Sequence, residues 1–280
     1  MDRLRAAGDR QADLEVSETF AAAARAAVLE AGRLAMSWFG GDHGSWEKGP
    51  GQVVTDADLA VDRFLKRTLA DLAPDAGWLS EETADDGSRL TARRVWIVDP
   101  LDGTRSFAAA IPEFTVCVGL LEAGRPVLGF VLNPATGELF EARAGQGATL
   151  AGRPIAARAA AGLAGARIVV SRDENRRRDF ARFLPDAELD TIGSLALKLC
   201  LVAAGRFDGY LSWRRAHDWD IAAAALILEE AGALLTDPRG ATVRFDGVQP
   251  VRRGLVAATP ALHAAMLEAT RPAFEALAVG

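Results

Sequence analysis

Apolar residues recur with a helical spacing in two segments of the N-terminal half. The first segment runs from Ser17 to about Trp38, and the second from about Thr55 to Ala73. This spacing predicts two amphipathic helices, each opened by a hydroxyl residue that can cap its first turn. The stretch between them, residues 39–52, is rich in glycine and mostly polar. We predict a connection without regular structure there.

Short apolar runs typical of β-strands begin at residue 95. The last three of four such runs are separated by the turn sequences AGRP and LNPATG. Runs joined in this way predict an antiparallel meander, which we place beneath the two helices. The predicted strands cover residues 95–98, 114–121, 127–132 and 138–142.

The C-terminal half alternates strands with helices, which favours an α/β layer. Predicted strands cover 167–171 and 207–212 and lie near Leu234 and Leu255; predicted helices begin at Ser194, at Asp218 and after Pro260. Glycines between residues 145 and 154 indicate a boundary between the halves. The predicted division is a polar N-terminal tail over 1–16, an α+β subdomain over 17–152 and an α/β subdomain over 153–280.

The composition is typical of a globular protein and argues against membrane-spanning and nucleic-acid-binding classes. The 280 residues are half hydrophobic and one quarter charged, which is enough to bury a large core. Cys117 and Cys200 stand in apolar stretches, and we interpret them as core residues of a reducing compartment. The sequence shows neither a run of bilayer length nor a signal-peptide pattern, so we expect a cytoplasmic protein without a membrane partner. A net charge of −6 argues against nucleic acid as a partner.

One segment, VWIVDPLDGTRSF at residues 95–107, concentrates the chemistry. An apolar strand ends at Asp99, and Asp102 follows three residues later. Two carboxylates at the end of a strand can chelate magnesium, which prefers anionic oxygens. Free N–H groups at Gly103 and Thr104 can hold phosphate oxygens. A plain turn uses the same residue types, but the preceding strand and the length of the motif favour a metal site.

Three further segments carry a carboxylate at the end of a predicted element: TDAD at 55–58, SEET at 80–83 and WDIAA at 219–223. Taken singly, each could be a helix cap or a solvated charge. Together with the strand motif, and in this order, they resemble the inositol monophosphatase family of metal-dependent, lithium-sensitive phosphatases. The resemblance runs from about residue 17 onward. It implies a layered αβαβα sandwich, a homodimer and a small phosphorylated substrate.

The resemblance also implies two or three Mg²⁺ ions in each active site. The first ion would be bound by Glu81, Asp99 and the main-chain oxygen of Leu101. The second would be bound by Asp99, Asp102 and Asp220, and a weaker third site would use Asp58 with Glu81.

Further roles carried over from the family concern water and phosphate. Thr104 would hydrogen-bond Asp58 and orient the attacking water, while the N–H groups of Gly103 and Thr104 take the phosphate. Glu82 would support its neighbouring ligand, and Lys48 would either approach the phosphate or stay a solvated charge. His217 stands three residues before Asp220, which favours a place on the substrate side or in support of Asp220. Metal ions can activate water and neutralise the leaving alkoxide, so a histidine or cysteine nucleophile is not needed.

Substrate choice depends on a few positions in the C-terminal half. Inositol-specific relatives carry a glutamate seven residues before the late aspartate, where this chain has Trp213, whose ring could stack on a base. Lys198 resembles a lysine of the 3′(2′),5′-bisphosphate nucleotidases, and Lys198, Arg214 or Arg215 could bind a second anionic group. We therefore expect cleavage of 3′-phosphoadenosine 5′-phosphate to AMP. Inositol 1-phosphate is the alternative, and histidinol phosphate or a sugar bisphosphate stays open.

A partner-binding regulatory protein with incidental phosphatase activity is the alternative from a different class. The resemblance leaves it open, because some bacterial relatives are thought to contact the transcription machinery. The full set of acidic residues argues against a purely non-catalytic role. A phosphate-release assay separates the two.

Overall fold

The computed structural model describes residues 16–41, 44–49 and 52–278, so the predicted tail over 1–16 lies outside the described residues except for Val16. Most of the helices and strands lie where the apolar patterns predict them. In chain order the elements are α1 Glu18–Met36, β1 Ser45–Gly49, β2 Gln52–Thr55, α2 Asp56–Leu72, β3 Gly77–Ser80, β4 Arg94–Asp102, α3 Thr104–Ala108, β5 Thr115–Glu122, β6 Arg125–Asn133, β7 Glu138–Arg143, β8 Ala148–Leu150, β9 Arg153–Ile155, β10 Arg167–Ser171, α4 Arg172–Arg178, β11 Glu188–Ile192, α5 Leu195–Ala203, β12 Gly209–His217, α6 Asp218–Glu230, β13 Leu234–Thr236, β14 Val251–Ala258 and α7 Pro260–Ala278.

Five layers make up the fold. A seven-stranded sheet in the order β3-β4-β5-β6-β7-β8-β9 is covered on one face by α1 and α2 and on the other by α5 and α6. Alternation along β4 divides its side chains, so Trp96 and Val98 face α1 and α2 whereas Ile97 faces α5 and α6. A five-stranded sheet, β11-β10-β12-β14-β13, lies on the far side of α5 and α6, and α7 covers its outer face. The αβαβα sandwich is confirmed.

The prediction that residues 39–52 form no regular structure is wrong. Strands β1 and β2 pair there as an antiparallel ribbon, with Ser45 opposite Thr55 and Trp46 opposite Val54. Strand β1 is exposed along nearly its whole length. Because neither of its faces enters a core, its sequence shows no apolar–polar alternation by which a strand could be predicted.

The glycine-rich segment at 145–154 also contains strands. Strands β8 and β9 pair with each other and extend the seven-stranded sheet to Ile155. The division into subdomains at residues 152 and 153 stays a prediction. Two polar elements of the second half, α4 and β11, have no counterpart in the predicted pattern.

Both cysteines lie in the core cluster that surrounds α5 and α6, and both are free thiols. Their predicted placement in the core is confirmed. Among the described residues, no helix combines the length and apolar character needed to cross a membrane.

Helix α6 packs very close to the large sheet. Gly119 of β5 and Gly129 of β6 stand directly opposite each other, and both face this helix. A Cβ atom on Gly129 would lie 2.7 Å from the carbonyl oxygen of Ala223 and 3.2 Å from its Cα. The helix contributes small residues to the contact, namely the buried Ala222 and Ala223. This packing fixes the helix that begins at Asp218 against the sheet that carries the aspartate motif.

We therefore expect Gly129→Ala to destabilise the protein by about 2–3 kcal/mol, because the obstacle is helix backbone that cannot rotate away. Urea unfolding followed by circular dichroism measures the loss. Gly162→Ala is the matched control, since no atom lies within 4 Å of its Cβ position, and its effect should stay within about 0.5 kcal/mol. Equal losses in the two variants would contradict the close packing of α6.

Candidate active site

The two aspartates of the DPLDGT motif lie where β4 leaves its regular pairing with β5. Asp99 is opposite Cys117 and Asp102 is opposite Thr115, with a shift of register between the two pairs. The N–H of Leu101 donates a hydrogen bond of 3.0 Å to Oδ1 of Asp99, which fixes the carboxylate. Asp99 is only 1% exposed.

Two carboxylates from other elements meet Asp99. Glu81 directly follows β3, the parallel neighbour of β4, and its N–H bonds the carbonyl of Val98 at 3.3 Å. Asp220 is the third residue of α6, where it accepts the N–H of His217 at 2.8 Å and caps the helix. Carboxylate oxygens of Glu81, Asp99 and Asp220 all lie within 4.8 Å of one another. Three segments that are distant in sequence therefore converge on one point.

The carboxylates of this group repel one another when they are ionised. Burial, followed by the nearby carboxylates, raises the pKa values of Asp99 and Asp220 well above the usual range of an aspartate. Oxygen ligands with concentrated negative charge are what a hard divalent cation requires, so the residues present fit a magnesium ion. A bound cation would relieve the repulsion and keep both carboxylates ionised.

Asp58 and Thr104 form a second part of the site beside this group. Asp58 caps α2 by accepting hydrogen bonds from the N–H and the hydroxyl of Thr55. The Thr104 hydroxyl lies 3.0 Å from Oδ1 of Asp58 and 3.0 Å from the carbonyl oxygen of Leu101. Burial raises the pKa of Asp58, although its hydrogen bonds to Thr55 and Thr104 oppose that rise. The structure thus contains the Thr104–Asp58 contact that the family resemblance implies.

Gly103 makes the turn between β4 and α3. Its φ of +99° is left-handed, and a Cβ atom would lie 2.7 Å from the carbonyl oxygen of Glu113. Only glycine fits this position. Within the described parts of the chain, the N–H groups of Gly103 and Thr104 find no acceptor outside their own elements, so they are available to an anion.

Asp102 lies next to the Glu81–Asp99–Asp220 group but outside it. One of its oxygens, Oδ2, accepts hydrogen bonds of 2.6 Å from the Ser194 hydroxyl and 2.6 Å from the Ala196 N–H. Ser194 is the N-cap of α5. The sequence predicts a helix start there, but nothing in it shows that the cap also holds an aspartate of the other half.

Lys48, Glu82 and His217, to which the sequence assigned supporting roles, lie around this group. Lys48 reaches Glu81 at 3.0 Å and Glu82 at 2.5 Å, so it touches the carboxylates. The His217 ring stacks on Trp219 with the centroids 4.6 Å apart, and its Nδ1 is 3.8 Å from Oδ2 of Asp220. Burial lowers the pKa of His217, which favours the neutral ring.

The structure corrects the expectation that Trp213 lines the substrate pocket. The ring is 5% exposed and packs in the core against α7, with the rings of Phe180 and Phe183 at 5.0 and 5.2 Å. Trp213 is two residues after Leu211, which belongs to the same core cluster, so strand alternation places both on this face. The shift of register between Ser212 and Arg215 affects the count of seven residues back from Asp220, on which the expectation rested. No face of this ring is left for a base.

Lys198 is also placed differently from the expectation. Its ammonium group donates to the carbonyl oxygens of Ile192, Gly193 and Ser194 at 3.1, 3.2 and 2.7 Å, and the residue is 4% exposed. Burial lowers the pKa of Lys198 to about 8, although Asp102 and other carboxylates nearby oppose the change. All three donors of the lysine are in use, so none is left for a substrate.

The converging residues line an open cleft of about 440 Å³. Five cationic side chains border it. Arg105 and Arg172 pair with carboxylates, and Lys198 is held by carbonyls. Arg214 and Arg215 are exposed at the bulge of β12, and no carboxylate in the described ranges pairs with either of them. They are the cations of the cleft that can still meet an anion.

Comparison with known sequences agrees with this geometry. The model of the inositol monophosphatase family matches residues 15–274. An inositol-1-monophosphatase of Rhizobium meliloti is 37% identical over 218 residues, which cover 75% of this chain and 79% of that protein. The Nus factor SuhB of Vibrio cholerae is 33% identical over 205 residues, which cover 70% of this chain and 76% of the relative.

Solved structures give the same result. The IMPase of Thermotoga maritima superposes with a TM-score of 0.80 at 26% identity, covering 99% of this chain and all of that one. The family match and this superposition both extend over the two sheets described above, and so over every segment that contributes to the cleft.

Asp99→Asn tests the electrostatics of the site. The amide keeps the shape of the side chain and can still accept the Leu101 N–H, but it removes one of several repelling charges. We expect the metal-free variant to melt about 2–4 °C higher than the unmodified protein, which corresponds to roughly 1 kcal/mol. Saturating Mg²⁺ should stabilise the variant much less than the unmodified protein.

Differential scanning calorimetry with and without Mg²⁺ measures both effects. Asp75→Asn, at an exposed position outside the site, is the matched control and should change neither melting temperature. A lower melting temperature of metal-free Asp99→Asn, together with undiminished stabilisation by Mg²⁺, would show that the carboxylates do not repel one another around a cation site.

Proposed function

Since this chain belongs to the inositol monophosphatase family, and is therefore a phosphomonoesterase of a metal-dependent family, we propose that it hydrolyses a small phosphate ester with Mg²⁺. The ions would be held by Glu81, Asp99 and Asp220, with Asp102 and the Leu101 carbonyl completing the set. The observation that carries the proposal is the convergence of three carboxylates within 4.8 Å at the cleft. Magnesium is the cation that such a set of anionic oxygens favours.

When bound, the ions would activate a water molecule and neutralise charge on the leaving oxygen. The protein groups would orient the reactants. The Thr104 hydroxyl donates a hydrogen bond to Asp58 or to the Leu101 carbonyl, so a lone pair of its oxygen is free to accept a hydrogen bond from the attacking water. The N–H groups of Gly103 and Thr104 would hold oxygens of the phosphate. Asp58 with Glu81 would serve a weaker third ion.

Inositol 1-phosphate is the first candidate substrate. The relative from Rhizobium meliloti is named an inositol-1-monophosphatase and shares 37% of its residues with this chain over the matched region. The core position of Trp213 and the fully engaged donors of Lys198 remove two reasons to expect a nucleotide. A small cyclic alcohol needs neither residue.

A doubly anionic substrate such as 3′-phosphoadenosine 5′-phosphate is the second candidate. One observation favours it: Arg214 and Arg215 border the cleft without a carboxylate partner among the described residues. A guanidinium group binds phosphate through paired, charge-assisted hydrogen bonds. A monophosphate that is held at Gly103 would leave these arginines unused.

Two further properties belong to the proposal. A homodimer and a cytoplasmic location are expected from the family and from the two free, buried thiols. Sedimentation equilibrium tests the dimer. A partner-binding role is the alternative, and the name of the Vibrio cholerae relative, Nus factor SuhB, supports it. A pure binding protein would release no phosphate from any ester in the presence of Mg²⁺.

The test is a phosphate-release panel of inositol 1-phosphate, 3′-phosphoadenosine 5′-phosphate and histidinol phosphate. We expect Mg²⁺-dependent turnover that Asp99→Asn lowers by several orders of magnitude. If the arginine pair binds a second anion, Arg214→Met with Arg215→Met should raise KM for the bisphosphate roughly tenfold or more. KM for inositol 1-phosphate should stay unchanged.

Arg63→Met, at an exposed position on α2, is the control for loss of a positive charge. An equal rise of KM for both phosphate esters would show that the arginines do not discriminate a second anion. Turnover that is independent of Mg²⁺, or that survives in Asp99→Asn, would contradict the proposed function itself.

Lithium gives a further prediction, which follows from the family resemblance. Li⁺ is close to Mg²⁺ in size but has half its charge, so it can occupy a carboxylate site without supporting phosphate release. We expect millimolar lithium to inhibit uncompetitively with respect to substrate. Steady-state kinetics at several Mg²⁺ concentrations measure this, and a Mg²⁺-dependent enzyme that is insensitive to lithium would exclude the proposed second site.

A further inference from the structure

The ammonium group of Lys198 is enclosed by the turn that precedes its own helix. Its three donors reach the carbonyl oxygens of Ile192, Gly193 and Ser194, which are consecutive residues from the end of β11 to the N-cap of α5. A lysine has three donors and no acceptor, so this single side chain ties together a whole turn. The contact is internal to the fold and leaves no donor directed at the cleft.

This turn adopts a conformation that needs support. Ser194 has a φ of +47°, in the left-handed region that a residue with a Cβ rarely adopts. Gly193 is closely surrounded, since a Cβ atom there would collide with the Ser106 hydroxyl and lie 3.0 Å from the carbonyl oxygen of Glu113. The Gly193 N–H also donates to the Glu113 carboxylate at 2.6 Å. An unusual backbone of this kind persists only where its surroundings fix it.

The Ile192–Ser194 turn holds Asp102 in place. The Ser194 hydroxyl and the Ala196 N–H both donate to Oδ2 of this aspartate at 2.6 Å. The same Ser194 oxygen accepts the Leu197 N–H at 3.0 Å, which ties it to the first turn of α5. The orientation of Asp102 therefore depends on where the backbone of Ser194 is placed, and Lys198 bonds that backbone directly.

We propose that Lys198 is a positioning residue for the metal site: it fixes the Ile192–Ser194 turn, and the turn aims Asp102. The inference rests on the proposed function only in taking Asp102 as a metal ligand. It replaces a role in substrate binding, because the ammonium donors end on main-chain carbonyls. Loss of these donors would remove three hydrogen bonds from the turn, allow the turn to relax and release Oδ2 of Asp102.

Lys198→Met keeps the aliphatic stem and removes every donor. We expect the dissociation constant for Mg²⁺, measured by titration calorimetry without substrate, to rise roughly tenfold or more, as when a group that orients a metal ligand is deleted. KM values for inositol 1-phosphate and for the bisphosphate at saturating Mg²⁺ should change by less than about twofold. Lys66→Met, an exposed lysine on α2, should alter neither quantity.

A second experiment tests whether Lys198 acts on Asp102 through Ser194. Ser194→Ala should weaken Mg²⁺ binding in the same way, and adding Lys198→Met to it should cause little further loss, because both changes act on one path. If Lys198→Met does not fold by circular dichroism, Lys198→Gln retains two donors and should give a smaller shift in the same direction.

Two results would overturn the inference. One is fully additive losses of Mg²⁺ affinity in the double variant. The other is unchanged Mg²⁺ affinity with a raised KM for the bisphosphate alone, which would make Lys198 a substrate ligand. An unmodified protein that binds Mg²⁺ but hydrolyses none of the esters would contradict the proposed function while leaving the calorimetric comparison valid.

Discussion

Repulsion between buried carboxylates is the constraint on which the rest of this structure depends. Several acidic side chains stay close together there, although burial and the neighbouring carboxylates disfavour the ionised forms of Asp99 and Asp220. The protein holds them with main-chain N–H groups, each of which donates a hydrogen bond to one of Asp58, Asp99, Asp102 and Asp220. Such bonds fix direction without adding a positive charge. These hydrogen bonds therefore fix the geometry of the carboxylates and leave their negative charge for a cation to neutralise.

The layered architecture meets this constraint by placing the ends of several elements at one edge. Strands β3 and β4 run parallel and end side by side, so Glu81 and Asp99 meet there. Helices α2 and α6 begin at the same edge from opposite faces of the sheet and contribute Asp58 and Asp220 as capping residues. The close approach of α6 at Gly129 sets how near its first turn can come. The close packing of α6 on the sheet therefore both stabilises the core and positions the carboxylates of the site.

Buried and exposed cationic side chains of the cleft have different roles. Lys198 lies below the surface, where it organises the turn that holds Asp102. Arg214 and Arg215 lie at the rim, exposed to whatever enters the cleft. A buried charge with all donors engaged can act only on the protein, whereas an exposed guanidinium can select a ligand.

The sequence by itself determined the elements with strong apolar periodicity and the order of the acidic motifs, because both are local patterns. Asp99 and its neighbours could be predicted as candidate metal ligands, because the strand, the proline and the turn glycine stand together in the chain. Tertiary structure decided what depends on distant contacts. Strand alternation with Leu211 places Trp213 in the core, and pairing across the two halves joins Ser194 to Asp102. The ribbon at β1 was missed for a related reason, since a strand without a buried face leaves no alternation in the sequence.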